Sequence, residues 1–262
     1  MGVLSLYRYV MYDLADPRWK NYFLVETPWP VLFIICNYIY FVKVCGPKFM
    51  KNREAFKIEW LIKVYNIVQI IWNLNLFFYL FRIAYHAQFV EDFNAWCLPF
   101  NCSEDDAFSM MLFHGYKLYF YNKLFDLLDT LFFVLRKKFD HISFLHVYHH
   151  AFMCFGVWLG AKYHPGGNTT TIGIANGLIH VMMYSYYQLA LLGYTVWWKK
   201  YLTQMQIIQF VIVFIHNFAV FFVKSCNYGL FITLLTLAQA IYFIYMFTNF
   251  YLKTYRKEIK KN

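Results

Sequence analysis

The sequence has few charged side chains for its length, and it lacks the tracts that usually separate domains. Only 15% of its 262 residues are Asp, Glu, Lys or Arg, whereas 61% are hydrophobic, against roughly 45–50% in soluble domains. There is no Ser-, Gly- or Pro-rich linker, no internal repeat and no low-complexity tract. These absences argue against a soluble multidomain protein and indicate a single polytopic membrane domain over residues 1–262.

The N-terminal segment lacks the features of a secretory signal. Residues 1–27 carry Arg8, Arg18 and Lys20 against Asp13, Asp16 and Glu26. They have neither a basic start followed by an apolar middle nor a small-residue cleavage site. We expect this segment to be a neutral, amphipathic lead-in to the first apolar run.

Seven apolar runs approach or exceed the ~20 residues that a helix needs to cross the hydrocarbon of a bilayer. They predict spans at about 28–44, 60–85, 108–135, 141–161, 168–194, 203–223 and 229–252. The predicted fold is therefore an all-α membrane protein, with seven transmembrane helices around an enclosed cavity that has a polar head and an apolar tail.

Basic residues fall on one side of these spans. They follow the first, third, fifth and seventh spans, whereas the segment from His86 to Tyr116 contains no Lys or Arg. By the positive-inside rule the basic side is cytosolic, so the N-terminus is predicted to be lumenal and the C-terminus cytosolic. The net charge of +10 thus suits anionic lipid headgroups or an anionic cytosolic substrate better than nucleic acid.

The predicted lumenal loops contain cysteines and glycosylation acceptors. Cys97, Cys102 and Cys226 lie there, where a disulfide can persist, and we expect Cys226 to pair with Cys97 or Cys102. A bond between Cys97 and Cys102, or three free thiols, are the alternatives. The tripeptides that begin at Asn101 and Asn168 fit the glycosylation pattern, but such tripeptides are common and leave their use open. No CxxC pair or Cys/His spacing of a zinc site occurs.

Three histidines lie in the fourth apolar run. His146, His149 and His150 are at i, i+3 and i+4, so that on a helix they share one face. One histidine on an apolar face is most often a core residue, but several ionisable side chains at membrane depth are costly and mark a functional site. Imidazole is nucleophilic when neutral, and burial favours the neutral form.

Other spans carry polar stripes at helical spacing. The second span has Asn66, Gln69 and Asn73, which we interpret as residues that hydrogen-bond to a neighbouring helix. The third, fifth and sixth spans have larger stripes: Lys123, Asp126, Asp129 and Thr130; Asn176, His180, Met183, Tyr184 and Tyr187; Thr203, Gln206, Gln209 and His216. Together with the histidines, these larger stripes indicate an internal polar cavity.

The stripes and the histidines match the motifs of a known family. HVYHH at 146–150 resembles HxxHH, KLFDLLDT at 123–130 resembles KxxExxDT, NGLIHVMMYSYY at 176–187 resembles NxxxHxxMYxYY, and TQMQIIQ at 203–209 resembles TxxQxxQ. With all four motifs in this order, the sequence resembles the ELO family of very-long-chain fatty-acid elongases over almost its whole length. Asp126 is a departure, because the family has Glu at that position.

The resemblance implies a reaction and roles for the residues. The reaction would be condensation of a long-chain acyl-CoA with malonyl-CoA, giving a 3-oxoacyl-CoA, CO2 and CoA in the endoplasmic reticulum membrane. His149 would carry the acyl group as an acyl-imidazole, and His180 would act as acid/base or polarise the thioester. His146 and His150 would orient these groups, and Asp126 and Asp129 would fix tautomers or pair with Lys123.

The same resemblance implies a set of substrate-binding side chains. They are Lys123, Asp126, Asp129, Asn176, Tyr187, Gln206, Gln209, Arg136, Lys137, Lys199 and Lys200. The basic residues at the cytosolic ends of the spans would attract the phosphates of coenzyme A, although such residues also anchor spans at the membrane boundary. We expect no metal and no cofactor beyond the two substrates. Expected partners are membrane lipid, the reductase and dehydratase of the elongation cycle, and a second copy of the chain.

Two alternatives belong to other classes of protein. Membrane di-iron desaturases and hydroxylases also use HxxHH boxes, but they need several histidine clusters. Here the remaining histidines are scattered at positions 86, 114, 141, 164 and 216. A seven-helix receptor or transporter would share the predicted span count but would give no reason for HxxHH or for the charged stripe at 123–130.

Overall fold

The chain is almost entirely helical. The computed structural model describes residues 2–89, 94–98, 103, 106–224, 226 and 228–259, with only the backbone at 256–259, and all regular secondary structure in them is helical. The main helices are α1 (Pro28–Tyr40), α2 (Glu59–Phe89), α3 (Ala107–Phe125), α4 (Leu128–Leu135), α5 (Phe144–Tyr163), α6 (Thr170–Leu191), α7 (Lys199–Ala219) and α8 (Leu230–Ile259). Helical turns at Phe41–Cys45 and Gly46–Met50 continue α1 toward its C-terminal side.

Four of these helical stretches are long and apolar enough to cross a membrane, as an all-α membrane protein requires. They are Pro28–Met50, Glu59–Phe89, Lys199–Phe222 and Leu230–Tyr255 among the residues that the structure describes. The other predicted spans correspond to α3 with α4, to α5 and to α6. These helices carry the three clustered histidines of α5, His180 and the buried charged residues Lys123, Asp129 and Lys162, which makes them less apolar.

Several helices extend beyond the predicted spans. The first continues to Met50 instead of 44, the second to Phe89 instead of 85, and the seventh to Ile259 instead of 252. Hydrophobicity reports where the hydrocarbon ends, whereas a helix also continues through the polar residues at the membrane boundary. Sequence hydrophobicity therefore underestimates helix length at these ends.

The predicted third span, 108–135, is not one continuous α-helix. α3 ends at Phe125 and α4 begins at Leu128, with neither proline nor glycine between them. At the junction two amides bond to the carbonyl three residues earlier, Leu127 N to Leu124 O at 3.3 Å and Asp129 N to Asp126 O at 3.2 Å. This tighter winding places Lys123 on one helix and Asp129 and Thr130 on the next, so the predicted single stripe is divided.

The chain folds as two compact units. The first contains Met1–Ile58 and Asn101–Gly166, and therefore α1, α3, α4 and α5. Within it, α5 packs against both α1 and α3. Close contact between α3 and α5 depends on Gly160, because a Cβ built there would lie 1.9 Å from the Tyr116 hydroxyl oxygen.

The N-terminal segment is an integral part of this first unit rather than a loose lead-in. Asp16, Arg18 and Trp19 are buried, and the Arg18 guanidinium pairs with Asp16 and donates to the Ser109 hydroxyl at 2.7 Å. The Asp16 amide also donates to the carbonyl of Lys162 at 2.9 Å. These bonds attach the segment to α3 and α5.

The second unit contains Glu59–Phe100 and Gly167–Asn262, and therefore α2, α6, α7 and α8. Its closest packing joins α2 to α6 and α7 to α8. Asn66 Nδ2 donates to Gln188 Oε1 at 3.3 Å, and Gln69 Nε2 donates to the Tyr184 hydroxyl at 3.2 Å. The interpretation of the second-span stripe as interhelical hydrogen bonding is therefore confirmed for these two amides.

A covalent and hydrogen-bonded junction holds the loops of the second unit. Cys97 is bonded to Cys226, which is one of the two pairings expected for Cys226; Cys102 lies outside the described residues. The Asn168 side chain is fully buried, and its amide oxygen accepts from the Leu98 amide at 3.0 Å. Asn168 is thus inaccessible to glycosylation in the folded protein, and Asn101, the other acceptor, lies outside the described residues.

Candidate active site

The three histidines lie on the first two turns of α5. The Ser143 hydroxyl caps the helix by accepting from the His146 amide at 3.2 Å, which satisfies one of the amides left open at a helix start. His146 and His149 are half-buried and His150 is buried. The ring centroids of His146 and His150 are 4.4 Å apart, and those of His149 and His150 are 5.7 Å apart. The predicted shared face is therefore a cluster of imidazoles.

His146 is connected to two other helices by hydroxyl groups. Its Nε2 lies 2.9 Å from Thr130 Oγ1 on α4, and Thr130 Oγ1 lies 2.9 Å from the Tyr38 hydroxyl on α1. The Phe133 ring packs 5.5 Å from the His146 ring, on the same short helix as Thr130. Sequence reasoning missed Tyr38, since nothing in its local sequence separates it from the other 23 tyrosines.

A buried ion pair lies at the end of α3. Lys123 Nζ is 2.6 Å from Asp126 Oδ2, with side chains only 2% and 3% exposed, so Asp126 is the carboxylate that pairs with this lysine. The Lys123 ammonium also lies 5.3 Å from the centre of the Tyr119 ring, and Asp129 is buried one turn further on. Charge-assisted bonding of this kind offsets part of the cost of taking both ions out of water.

In the second unit, the predicted residues of α6 form a buried row. Asn176, His180 and Tyr184 are buried, and Tyr187 is half-buried. The His180 ring centroid is 5.7 Å from that of Tyr184, and the Tyr184 ring is 5.9 Å from that of Tyr187. The Tyr184 hydroxyl accepts from Gln69, so hydrogen bonding to α2 fixes the middle of this row.

The glutamines of α7 differ in environment. Gln206 is half-buried, whereas Gln209 is buried. The side-chain oxygen of Gln209 has no hydrogen-bond partner within the described part of the chain. A buried acceptor left open costs about 1–3 kcal/mol, so this oxygen is a position where a bound molecule with an N–H or O–H group would be stabilised.

The predicted coenzyme A ligands lie at helix ends. In the first unit, Arg136 and Lys137 follow α4 and are half-buried, and Lys137 Nζ donates to the Lys51 carbonyl at 3.5 Å. In the second unit, Lys199 and Lys200 begin α7 and are exposed. Over the described residues, no group of three His, Cys, Asp or Glu side chains is arranged to hold a metal ion.

Comparison with known proteins places this helical membrane-type fold in a family. The model of the ELO family, described as GNS1/SUR4, matches residues 23–262. The chain therefore belongs to the ELO family, as its motifs predict.

Characterised relatives are similar over nearly the whole chain. Very long chain fatty acid elongase 7 of Drosophila melanogaster is 39% identical over 98% of this chain and 78% of its own length. Human very long chain fatty acid elongase 4 is 38% identical over 98% of this chain and 81% of its own. Very long chain fatty acid elongase 7 of the rat, Rattus norvegicus, is 36% identical over 93% of this chain and 86% of its own length.

Proposed function

We propose that this protein is the condensing enzyme of fatty-acid elongation, a 3-oxoacyl-CoA synthase. It would join a long-chain acyl-CoA to malonyl-CoA and release CO2 and CoA. The observation that carries the proposal is the imidazole cluster of α5, in which three histidines share one helix face. Its support is the membership of the ELO family and the similarity to proteins named very long chain fatty acid elongases.

In the first half-reaction, a ring nitrogen of His149 attacks the thioester carbonyl of the acyl-CoA. The carbon–sulfur bond breaks, and the CoA thiolate takes the proton that leaves the other ring nitrogen. The product is a neutral acyl-imidazole, which divides one difficult step into two easier ones. His146 and His150 orient the His149 ring from the same helix face.

In the second half-reaction, malonyl-CoA loses CO2 and the resulting carbanion attacks the acyl carbon. The bond from this carbon to the imidazole nitrogen breaks, and the imidazolate that leaves takes up one proton from solvent, which restores the neutral histidine. His180 is proposed as an acid/base or as the group that polarises the thioester, in line with its buried position on α6. Asn176, Tyr187, Gln206 and Gln209 are proposed to hydrogen-bond the substrates, and the open acceptor of Gln209 supports its part in this.

The charged residues are proposed to bind the ionic parts of the substrates. Arg136, Lys137, Lys199 and Lys200 are proposed to pair with the phosphates of coenzyme A. The Lys123–Asp126 ion pair and Asp129 would fix charge and tautomers near the imidazole cluster. The substrates supply all the reacting groups, so the proposal needs no separate cofactor.

We further propose that the chain crosses the endoplasmic reticulum membrane seven times, with a lumenal N-terminus and a cytosolic C-terminus. The Cys97–Cys226 bond supports lumenal loops, because disulfides persist in oxidising compartments. The acyl tail would occupy the apolar end of an enclosed cavity. The 3-oxo product would pass to the reductase and dehydratase of the cycle, and a homodimer is part of the same proposal.

The test is mass spectrometry of the purified protein after incubation with acyl-CoA alone. We expect one acyl adduct on His149, with release of one CoA and ping-pong kinetics once malonyl-CoA is added. His149→Ala should abolish the adduct, and His180→Ala should load acyl but fail to condense. His141→Ala is the matched control, because His141 is an exposed histidine just before α5. An adduct elsewhere, or CoA release that requires malonyl-CoA, would contradict the acyl-enzyme.

A further inference from the structure

Two hydroxyl groups connect α1 to the imidazole cluster. Tyr38 is 5% exposed and Thr130 is fully buried. Thr130 Oγ1 lies 2.9 Å from the Tyr38 hydroxyl and 2.9 Å from His146 Nε2. In the described part of the chain, Thr130 is the hydrogen-bond partner of the Tyr38 hydroxyl. The Thr130 hydroxyl has two partners there, the Tyr38 hydroxyl and His146 Nε2.

The number of hydroxyl protons decides which group donates and which accepts in these two hydrogen bonds. Each hydroxyl has one proton to donate, and there are two contacts to fill. If Tyr38 donates to Thr130 and Thr130 donates to His146, both hydroxyl protons are used. If His146 donates through Nε2 instead, one hydroxyl proton is left buried without an acceptor among the described residues. An unsatisfied buried donor costs about 1–3 kcal/mol, so the first arrangement is favoured.

We propose that Tyr38 and Thr130 are positioning residues that hold His146 as the tautomer with its proton on Nδ1 and fix its ring against His150. This inference rests on the proposed function, since the role it assigns is to prepare the imidazole cluster for acyl transfer. The Nε2 atom of His146 is an acceptor of the Thr130 proton and is thereby kept out of the chemistry. The first predicted span, which carries none of the family motifs identified in the sequence, contributes to the site through Tyr38.

The packing around His146 explains why a hydroxyl is needed there. Its ring packs against the rings of Phe133 and His150, with centroid distances of 5.5 Å and 4.4 Å. These ring contacts limit the position of the imidazole but do not distinguish its two nitrogens. The directional hydrogen bond from Thr130 does distinguish them. In functional histidines, the hydrogen bond made by one ring nitrogen usually sets the protonation of the other.

The kinetic test compares variants that remove one hydroxyl at a time. Tyr38→Phe and Thr130→Val should each lower kcat on the order of tenfold, the effect of losing one buried hydrogen bond, with the KM for acyl-CoA unchanged. Thr130→Ser keeps the hydroxyl and should retain activity. The double variant should be no slower than Thr130→Val, because both changes break one connected chain. Tyr40→Phe, an exposed position on the same helix, should match the wild type.

The spectroscopic test reads the tautomer directly in the full-length protein labelled with 15N-histidine. The His146 signals, identified by their loss in His146→Gln, should show a protonated Nδ1 and an unprotonated Nε2. Tyr38→Phe should shift these signals or mix the two tautomers. A protonated Nε2 in the wild type, or full kcat in Tyr38→Phe, would overturn the proposal. Absence of condensation by the wild type would instead refute the proposed function and leave the tautomer assignment intact.

Discussion

Asp126 differs from the glutamate that the family has at this position, and the ion pair shows what the shorter side chain does. Its carboxylate lies 2.6 Å from Lys123 Nζ, three residues earlier at the end of α3. The α-helix ends at Phe125, and the Asp126 amide still donates to the Asn122 carbonyl, four residues earlier, at 2.9 Å. A carboxylate with one methylene less thus reaches the lysine from three residues further along the same helical turn.

We predict that Asp126→Asn loses most of its activity and much of its stability, whereas Asp126→Glu is tolerated. Replacing Asp126 by Asn removes the negative charge that pairs with a buried ammonium, and breaking a buried ion pair in this way costs about 3–5 kcal/mol. The measurements are condensation activity and the midpoint of thermal unfolding in detergent. The double variant Lys123→Met/Asp126→Leu is the control, and it should unfold at a higher temperature than Asp126→Asn. Activity of Asp126→Asn equal to that of the wild type would show that the charge has no part in the reaction.

The histidine face of α5 could be predicted from the sequence, and its partners could not. A spacing of i, i+3 and i+4 places His146, His149 and His150 together on any helix. Which hydroxyl meets His146 depends on how α1, α4 and α5 pack, and a single sequence has no signal for that. Tyr38 and Phe133 therefore enter the site only with the structure.

At the scale of elements, α5 contains two glycines with opposite surroundings. A Cβ at Gly160 would lie 1.9 Å from the Tyr116 hydroxyl and 2.8 Å from the ring carbon that carries it. A Cβ at Gly156 would meet only the ring edge of Phe152, at 3.2 Å, in the preceding turn of the same helix. Gly160 therefore allows α3 and α5 to approach closely, whereas Gly156 takes no part in that contact.

We expect Gly160→Ala to destabilise the protein by about 1–3 kcal/mol, the usual cost of overpacking. Gly156→Ala should be neutral or stabilising, because alanine favours a helix by about 1 kcal/mol over glycine. Thermal unfolding of the two variants side by side measures the difference. Tyr116→Phe should partly restore Gly160→Ala by removing the nearest atom. Equal effects of the two alanines would show that the approach of α3 to α5 does not depend on Gly160.

Helix positions were more predictable than helix continuity. Each predicted span overlaps a helix, because apolar runs of this length have few other folded forms. The interruption at Asp126 and Leu127 has no proline or glycine to announce it. The buried ion pair of Lys123 with Asp126 lies at this interruption, and hydrophobicity does not describe it.

At the scale of the whole molecule, one covalent bond joins distant parts of the second unit. Cys97 and Cys226 are 129 positions apart. On the chain-entropy argument, closing a loop of this size stabilises the folded protein by roughly 4–5 kcal/mol at most. Two further contacts hold residues near Cys97. Asn168 accepts from the Leu98 amide, and His216 Nε2 lies 3.0 Å from the Ala95 carbonyl oxygen.

Reduction of this bond should lower the midpoint of thermal unfolding while leaving activity at low temperature largely intact. Non-reducing peptide mapping should show the Cys97 and Cys226 peptides linked. Cys226→Ser should unfold at the same temperature with and without reductant. Cys36→Ser, which replaces a free and exposed cysteine, should retain the reductant dependence of the wild type. Alkylation of Cys226 without prior reduction would exclude the bond.

The position of this disulfide along the chain also determines when it can form during synthesis of the protein. Helices α3 to α7 are synthesised between Cys97 and Cys226, so the bond cannot close until the ribosome has passed residue 226 and, in the proposed orientation, the second cysteine has reached the lumen. A nascent polypeptide that stalls earlier lacks Cys226 and cannot form this bond. Formation of the Cys97–Cys226 bond therefore marks that synthesis has passed α7 and, in the proposed orientation, that the loop after α7 has reached the lumen.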